Sequence, residues 1–278
     1  MFIDAHQHFW HYTAADYPWI DSSMKRLARD YLPADLTAVA LTEGVTGSVA
    51  VQARQTVQET DWLLSLAATN PFIRGVVGWV DLRSPTVADD LRCRVSNPKL
   101  VGVRHVVQDE PDPRFLLGDD FVRGLKTLEA FQLTYDLLLF PHQLPAAVEL
   151  AALLPDQPFV LDHLAKPQIK AGNLADWEAD IKALARHQNV CCKLSGLVTE
   201  ADWNNWSRDD FRGVLDVALT AFGPDRLLFG SDWPVCLLAA NYSEVVGIVS
   251  DVLATLSHSE QAAIKGATAT RFYGLPQG

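Results

Sequence analysis

Two histidines one residue apart stand near the start of the chain and are suited to bind one shared group. They lie in the segment Phe2-Ile3-Asp4-Ala5-His6-Gln7-His8, whose apolar residues predict a short strand. Because side chains alternate between the two faces of a strand, His6 and His8 point to the same side. Two such imidazoles can share a metal ion such as zinc or hold one substrate oxygen. The motif is short, so its meaning depends on what the rest of the chain places beside it.

Three later residues have side chains that complement this histidine pair. His163 and Asp232 each follow an apolar, strand-like segment, and Arg104 stands at the end of another. A carboxylate that faces imidazoles can bind a metal ion or take a proton from water as a general base, and a guanidinium can stabilise an oxyanion. The candidate metal set is His6, His8, His163 and Asp232, and the candidate catalytic set is Asp232, His163 and Arg104.

Structural roles for the same residues stay open at this point. Asp232 precedes Trp233-Pro234 and fits a turn or a helix N-terminus. His163 fits a hydrogen-bonded histidine at the rim of a sheet. Lys193, inside an apolar segment, is costly to bury alone, so it must pair with a partner or point towards the site.

Strand-like and helix-like segments alternate along the whole chain and predict the element that positions these side chains. We predict strands at 2–5, 47–52, 72–80, 100–105, 133–140, 158–162, 190–194 and 227–231, and helices at 59–69, 120–131, 144–154, 174–187, 209–222, 243–255 and 257–272. Apolar strands without alternation are typical of a parallel sheet covered by helices on both faces. Eight strand–helix units predict an α/β fold, a (β/α)8 TIM barrel, with residues 1–278 forming a single domain.

Active sites of such barrels form at the carboxyl ends of the strands, which is where the polar residues of this chain collect. Further residues at these ends are candidates for substrate binding: Gln52, Arg54, Trp79, His105, Gln108, Lys166 and Trp233. The long segment 11–35 is rich in aromatic residues. It is expected either to cover a substrate or to pack over the barrel rim.

Composition excludes several classes of partner. The net charge of −11 without basic clusters argues against nucleic acid, and no apolar run approaches membrane-spanning length. Four cysteines without a C-x-x-C pair indicate free thiols in a reducing compartment, so we expect a cytoplasmic protein that binds a small molecule. Both a monomer and a homo-oligomer remain open.

Several motifs together resemble a known family. They are His6-x-His8, Leu161-Asp162-His163-Leu164-Ala165-Lys166-Pro167, the segment Cys192 to Glu200 and Phe229-Gly230-Ser231-Asp232-Trp233-Pro234. These motifs resemble the amidohydrolase superfamily. Asp16-Tyr17-Pro18-Trp19, Val51-Gln52-Ala53-Arg54 and Gly102-Val103-Arg104-His105 are similar to its branch of sugar-lactone hydrolases, such as L-fuconolactonases and L-rhamnonolactonases. The resemblance runs nearly end to end.

The resemblance implies hydrolysis of a sugar lactone, with six-carbon deoxy sugars such as L-fucose or L-rhamnose as the expected source. It makes Asp232 the general base, and His6, His8, His163 and Asp232 the metal or substrate set. The chain departs from two-metal relatives because strand four ends Val103-Arg104-His105, without the bridging lysine or glutamate. One divalent ion, zinc or manganese, and metal-independent catalysis with histidine donors both remain open.

Two other functions stay open beside the lactonase. Relatives with a similar ligand set are metal-dependent decarboxylases of aromatic or dienoic acids, which need a clamp for the carboxylate. A carbohydrate-binding barrel without activity is the third possibility, although many converging ionisable groups are costly to bury without a function.

Overall fold

The computed structural model describes residues 1–276 and contains one sheet of eight parallel strands in chain order. The strands are β1 (Ile3–Gln7), β2 (Gly47–Val51), β3 (Ile73–Gly78), β4 (Leu100–Val106), β5 (Thr134–Leu138), β6 (Phe159–Leu161), β7 (Val190–Leu194) and β8 (Leu227–Phe229). His8 N donates to Trp233 O at 2.7 Å and Asp232 N donates to His6 O at 2.8 Å. These bonds bring the segment after β8 against β1, so the prediction of a (β/α)8 barrel is confirmed.

Helices cover the outside of the barrel. They are α1 (Pro33–Ala40), α2 (Val57–Thr69), α3 (Val87–Arg92), α4 (Asp119–Ala130), α5 (Leu144–Leu153), α6 (Ala175–Leu184), α7 (Asp209–Phe222), α8 (Tyr242–Leu253), α9 (His258–Ala262) and α10 (Thr268–Phe272). Along the described residues, no helix is both long and apolar enough to cross a membrane.

Two hydrophobic clusters explain why the strands are apolar on both faces. A large cluster lies between the strands and the helices, as in the packing of Leu63, Phe121 and Leu215. A smaller cluster fills the barrel interior and includes Val49 and Val160 together with Tyr273 from the C-terminal end of the chain. The apolar side chains of the strands therefore find apolar neighbours both inside and outside the barrel, which accounts for the missing alternation.

The elements depart from the sequence-based boundaries in informative ways. Helices α1 and α3 were not predicted, since α1 lies within and beyond the segment expected to be a loop and α3 is only six residues long. The predicted helix at 257–272 is divided by a π-helical turn at Ala263–Ala267. Its capping box is confirmed, with Ser257 accepting from Glu260 N. The last two residues of the expected domain, 277 and 278, lie outside the described residues.

Strands β6 and β8 end earlier than predicted, and this matters for the site. β6 ends at Leu161 and β8 at Phe229. His163 and Asp232 therefore lie on irregular backbone just beyond the strands, where their side chains are free to turn over the barrel mouth. This is the position in which barrel enzymes carry their reactive groups.

Candidate active site

His6 on β1 and His8, directly after β1, meet at the barrel mouth. The register of β1 against β2 shifts between Asp4 and Gln7, which is the kind of irregularity that re-aims a side chain. Nε2 of His6 and Nε2 of His8 lie 3.2 Å apart. Nδ1 of His8 lies 2.8 Å from Val51 O, which can only accept, so His8 carries its proton on Nδ1 and turns the Nε2 lone pair towards the mouth.

Asp232 faces these histidines from the segment after β8. Its Oδ1 lies 3.4 Å from His8 Nε2, 3.8 Å from His6 Nε2 and 3.8 Å from His163 Nε2. Burial disfavours the charged carboxylate, but electrostatic attraction from the neighbouring imidazoles, that of His163 first, outweighs it and holds the pKa of Asp232 well below its usual range. Asp232 is therefore ionised at neutral pH.

His163 is held over the mouth by an unusual backbone. The four residues from His163 to Lys166 all have φ between 52° and 57°, a left-handed conformation that costs about 1–2 kcal/mol for each L-residue. Such strain is typical of functional sites. Nδ1 of His163 bonds to Ser195 Oγ at 2.9 Å, and burial lowers the pKa of His163 to about 4. The ring is thus neutral beside the ionised Asp232.

Arg104 is anchored from two sides at the end of β4. Its Nη1 donates to Asp162 Oδ2 at 3.0 Å, and its Nη2 donates to Gln52 Oε1 at 3.1 Å and to Gln52 O. Gln52 Nε2 in turn donates to Arg104 O at 3.3 Å. Gln52, predicted to bind substrate, is fully buried and holds Arg104 in place.

Two buried aspartates lie beneath the site and bind side chains of neighbouring elements. They were not predicted as site residues. Asp4 on β1 accepts from Ser231 Oγ at 2.5 Å, from Ser231 N at 2.9 Å and from Tyr242 O–H at 3.0 Å. Asp136 on β5 accepts from Lys193 Nζ at 2.5 Å. An aspartate inside an apolar strand needs a buried partner, and that signal was present in the sequence for both residues.

A cavity of about 630 Å³ opens above these groups. Among the predicted site residues, those that line it are His8, Arg54, Arg104, Gln108, His163, Lys166 and Asp232. Three residues that were not named individually as site candidates add a carboxylate and two indole rings: Glu200, Trp203 and, from the aromatic segment 11–35, Trp19. A neighbouring groove of about 700 Å³ shares Lys166 and Glu200 but none of the histidines near Asp232, so the reactive groups belong to the first cavity.

Besides Gln52, three predicted substrate-binding residues lie outside the cavity lining. His105 stacks on Phe115 with ring centroids 5.0 Å apart, and its Nε2 lies 2.7 Å from Glu110 Oε1. Trp79 donates from Nε1 to His105 Nδ1 at 3.3 Å. Trp233 is 2% exposed and packs against Tyr31. Each one contacts the loops that shape the mouth.

The aromatic segment 11–35 is partly a packed structure and partly a cavity wall. Tyr17 and Tyr31 are buried, whereas Trp19 is 39% exposed and lines the cavity. Arg54 joins this segment to the loop after β2 through Asp16, at 2.7 Å between Nη2 and Oδ1. Both of the expected roles are thus realised by different residues of one segment.

The donor set at the mouth fits one divalent ion. Ligand atoms of His6, His8 and Asp232 all lie within 4.8 Å of one another, and imidazole with carboxylate is a common zinc donor set. The Nε2 lone pair of His8 faces the ionised carboxylate of Asp232, and a cation between them would be attracted to both. His6, Asp162 and His163 form a second group, but Lys193 and Arg104 already neutralise Asp162.

Histidines at the ends of β1 and β6 and an aspartate after β8 meet at one end of the parallel barrel. This is the architecture of a barrel enzyme whose active site lies at the carboxyl ends of the strands. The chain belongs to the amidohydrolase family, because the family model described as Amidohydrolase matches residues 3–275.

Individual relatives narrow the comparison. The chain is 48% identical to the L-fucono-1,5-lactonase of Burkholderia multivorans, over 99% of this chain and 96% of that relative. The L-fucono-1,5-lactonase of Burkholderia ambifaria is 36% identical, over 87% of this chain and 83% of that one. A crystal structure of an amidohydrolase from Burkholderia multivorans with bound zinc is similar at a TM-score of 0.95 and 47% identity, covering 99% of this chain and 100% of that chain.

Proposed function

We propose that this protein hydrolyses a sugar lactone to the sugar acid, with a lactone of a six-carbon deoxy sugar such as L-fucono-1,5-lactone as its substrate. The observation that carries the proposal is the position of the ionised Asp232, which lines a cavity of about 630 Å³. Its Oδ1 lies 3.4–3.8 Å from the Nε2 atoms of three histidines. The low pKa keeps Asp232 ionised at neutral pH, which a general base must be before it can take a proton from water. The high identity to L-fucono-1,5-lactonases supports the choice of lactone.

Asp232 takes a proton from water as the water oxygen attacks the lactone carbonyl carbon. The carbon–oxygen double bond opens, and its electron pair becomes an oxyanion. Arg104 lines the cavity and carries a fixed positive charge, so it stabilises this oxyanion. When the tetrahedral intermediate collapses, the ring carbon–oxygen bond breaks, and Asp232 returns its proton to the ring oxygen.

A divalent ion held by His6, His8 and Asp232 would polarise the carbonyl as a Lewis acid. The roles of the remaining residues are the same with or without it. His163, fixed by Ser195, lies with its Nε2 3.8 Å from Oδ1 of Asp232 and lines the cavity. Its ring borders the space in which the carbonyl and the water must meet.

The charge of the cavity supports a neutral substrate. Arg54 is paired with Asp16, and Arg104 with Asp162. Lys166 is the one lysine or arginine of the described cavity lining that has no carboxylate within 4.0 Å. A decarboxylase that clamps an acid needs free cations, and the pairing leaves only Lys166 for that role among the described cavity residues, which argues against that alternative.

The free polar groups and the apolar groups of the lining support a deoxy sugar. Lys166 can donate to hydroxyl groups, while Glu200 can accept from them. Met24, Val235 and Leu238 add an apolar surface to the same cavity. A ring with several hydroxyls and one methyl group matches this combination.

A pH-indicator assay on a panel of aldonolactones tests the proposal, with metal content measured before and after chelation. We expect turnover that is fastest on 1,5-lactones of 6-deoxy sugars. Release of carbon dioxide from a dihydroxybenzoate without turnover of any lactone would establish the decarboxylase. Binding of sugar acids with no turnover would establish a binding protein. If turnover persists after complete chelation, histidine and arginine hydrogen-bond donors polarise the lactone carbonyl without a metal ion.

We also propose that the chain acts in the cytoplasm as a single domain. Cys191, Cys192 and Cys236 are buried free thiols, which is typical of proteins in a reducing compartment. Cell fractionation with an antibody against the native protein tests the location.

A further inference from the structure

The backbone of Asp232 is held in a conformation that few residues adopt. Its φ of 57° lies in the left-handed region, where the side chain of an L-residue crowds the backbone. Such a conformation persists only where the surrounding structure fixes it. The carboxylate of Asp232 is turned towards the three histidines, so the restraint on its backbone comes from neighbouring residues.

Three consecutive backbone N–H groups around Asp232 are all hydrogen-bonded. Ser231 N donates to Oδ1 of Asp4 at 2.9 Å. Asp232 N donates to His6 O at 2.8 Å, and Trp233 N donates to Ser231 Oγ at 3.0 Å. These bonds fix the peptide units on both sides of Asp232.

Asp4 on β1 connects two of these three hydrogen bonds. Its Oδ1 accepts from Ser231 N, and its Oδ2 accepts from the Ser231 hydroxyl at 2.5 Å. Because the hydroxyl hydrogen is directed to Asp4, the lone pairs of the same oxygen are left to accept from Trp233 N. A single carboxylate therefore orients Ser231 before Asp232 and, through the hydroxyl, Trp233 after it.

Asp4 does not reach the substrate itself. It has no exposed surface and does not belong to the described cavity lining, whereas Asp232 does. Asp4 also accepts from His6 N at 3.2 Å and from the Tyr242 hydroxyl at 3.0 Å. A buried polar network whose members are all bonded is rigid, and rigidity is what a residue that positions another one requires.

We propose that Asp4 is a positioning residue, which acts through Ser231 to hold the backbone of Asp232 so that its carboxylate faces the histidines. The same contacts could serve stability alone, since hydrogen bonds to a buried carboxylate also stabilise the fold. Positioning predicts a displaced Asp232 and a lower kcat, whereas a purely structural role predicts only a lower free energy of unfolding. The effect on the rate rests on Asp232 being the base of the proposed lactonase reaction, while the conformation of Asp232 can be observed without any turnover.

Crystal structures of wild type and Asp4→Asn at equal metal content test the proposal directly. The new side chain has the same size, but its amide nitrogen only donates, so one of its two polar atoms no longer accepts from Ser231 or Tyr242. In wild type, Oδ1 of Asp232 lies 3.4 Å from Nε2 of His8. We expect this distance to be longer by about 1 Å or more in Asp4→Asn, a displacement large enough to impair catalysis. An Asp232 in its wild-type position would overturn the proposal, whatever the activity of the variant.

Steady-state kinetics on the preferred aldonolactone gives a second readout. Asp4→Asn should lower kcat by about 10²-fold, the loss expected for a reacting group misplaced by about 1 Å, and should leave KM within about 2-fold of wild type. Ser231→Ala removes the hydroxyl and keeps the Asp4 carboxylate. It should displace Asp232 and lower kcat in the same way, and it carries the test if Asp4→Asn does not fold.

Two further outcomes separate this proposal from the proposed function. A displaced Asp232 with wild-type kcat would support the positioning role of Asp4 and overturn the assignment of Asp232 as the base. A raised KM with unchanged kcat and an unmoved Asp232 would mean that Asp4 shapes substrate binding, which would overturn the positioning role.

Tyr242→Phe is the matched control. It removes a different hydrogen bond to Oδ2 of Asp4, one that comes from α8 and involves none of the three N–H groups around Asp232. The free energy of unfolding, measured with denaturant, should fall in both Tyr242→Phe and Asp4→Asn, because each removes a hydrogen bond of a buried carboxylate. Only Asp4→Asn and Ser231→Ala should lose kcat. A kcat in Tyr242→Phe as low as in Asp4→Asn would mean that activity follows the stability of the network, which would remove the specific role of Asp4.

Discussion

Oδ1 of Asp232 lies 3.4 Å from Nε2 of His8, while Nδ1 of the same histidine is bound to Val51 O at 2.8 Å. An ionised carboxylate and an imidazole lone pair thus face each other, and both only accept. Two acceptors at this distance need a proton donor or a cation beside them. A water molecule donates two hydrogens, so this is where we expect the attacking water to be oriented.

Replacing Asp232 by Asn removes the base and retains the size of the side chain. We expect kcat/KM for lactone hydrolysis to fall by about 10²–10⁴-fold, because the amide cannot take a proton from water. The measurement is the rate on the preferred aldonolactone. Asp251→Asn, which alters an exposed ion pair with Arg208, should keep wild-type activity. A rate within 10-fold of wild type in Asp232→Asn would contradict the assignment of the base.

Glu200 is predicted to recognise hydroxyl groups of the substrate. It lines the cavity, no hydrogen bond to its carboxylate occurs among the described residues, and burial raises its pKa against the attraction of Lys166. Glu200→Ala should lower kcat/KM for a polyhydroxy lactone by about 10-fold or more, since losing a hydrogen bond to a charged group costs about 1.5–3 kcal/mol. Its kcat/KM for a lactone without hydroxyls should stay near wild type.

The comparison of two substrates separates recognition from chemistry. Equal losses on both lactones would mean that Glu200 acts on the reacting atoms, and no loss on either would mean that the substrate does not reach it. Glu149→Ala is the matched control, because Glu149 is an exposed carboxylate paired with Arg114. It should leave both rates unchanged.

Glu59 should make stability depend on pH. It accepts from Ala53 N at 3.0 Å and Arg54 N at 2.7 Å, and burial raises its pKa from 4.5 to about 7. Because the folded-state pKa is the higher one, the stabilisation is complete below about pH 4.5 and is lost as pH rises through about 7. The difference between the two pKa values corresponds to about 3 kcal/mol at most.

Denaturant unfolding at several pH values measures this effect. The free energy of unfolding of the wild type should fall more steeply between about pH 4.5 and 7 than that of Glu59→Gln, whose side chain does not titrate. Other buried carboxylates contribute equally to both proteins, so the difference between the two curves isolates Glu59. Parallel curves would show that Glu59 keeps an ordinary pKa.

The barrel and its reactive set were predictable because each depends on a local pattern. Apolar strands alternating with amphipathic helices predict the barrel, and the barrel predicts that His6, His163 and Asp232 converge. The contacts of Glu200 and Lys193 were not predictable in detail. They depend on irregular loops and on partners such as Asp136 that lie far away in the chain, and no local spacing encodes those distances.

The predicted roles of Trp79, His105 and Trp233 illustrate the same limit. The position after a strand indicates that a side chain is near the mouth, but it does not say whether the side chain faces the cavity or the adjacent loops. His105 and Trp79 bond to each other instead of lining the cavity. An aromatic ring or an imidazole at the rim serves either purpose, and only the loop packing decides between them.

Gly196 provides a sharp test of whether His163 must keep its place. A Cβ on Gly196 would lie 2.4 Å from Nδ1 of His163, closer than atoms can approach, so Gly196→Ala should push the ring from Ser195 and lower kcat by about 10²-fold or more. Gly172→Ala is the matched control: its φ of +68° resembles the +64° of Gly196, but its Cβ would have no neighbour within 4 Å. Both variants should lose about 1–2 kcal/mol of stability from the left-handed backbone. Only Gly196→Ala should lose activity, and equal activity in the two folded variants would mean that catalysis does not require this position of His163.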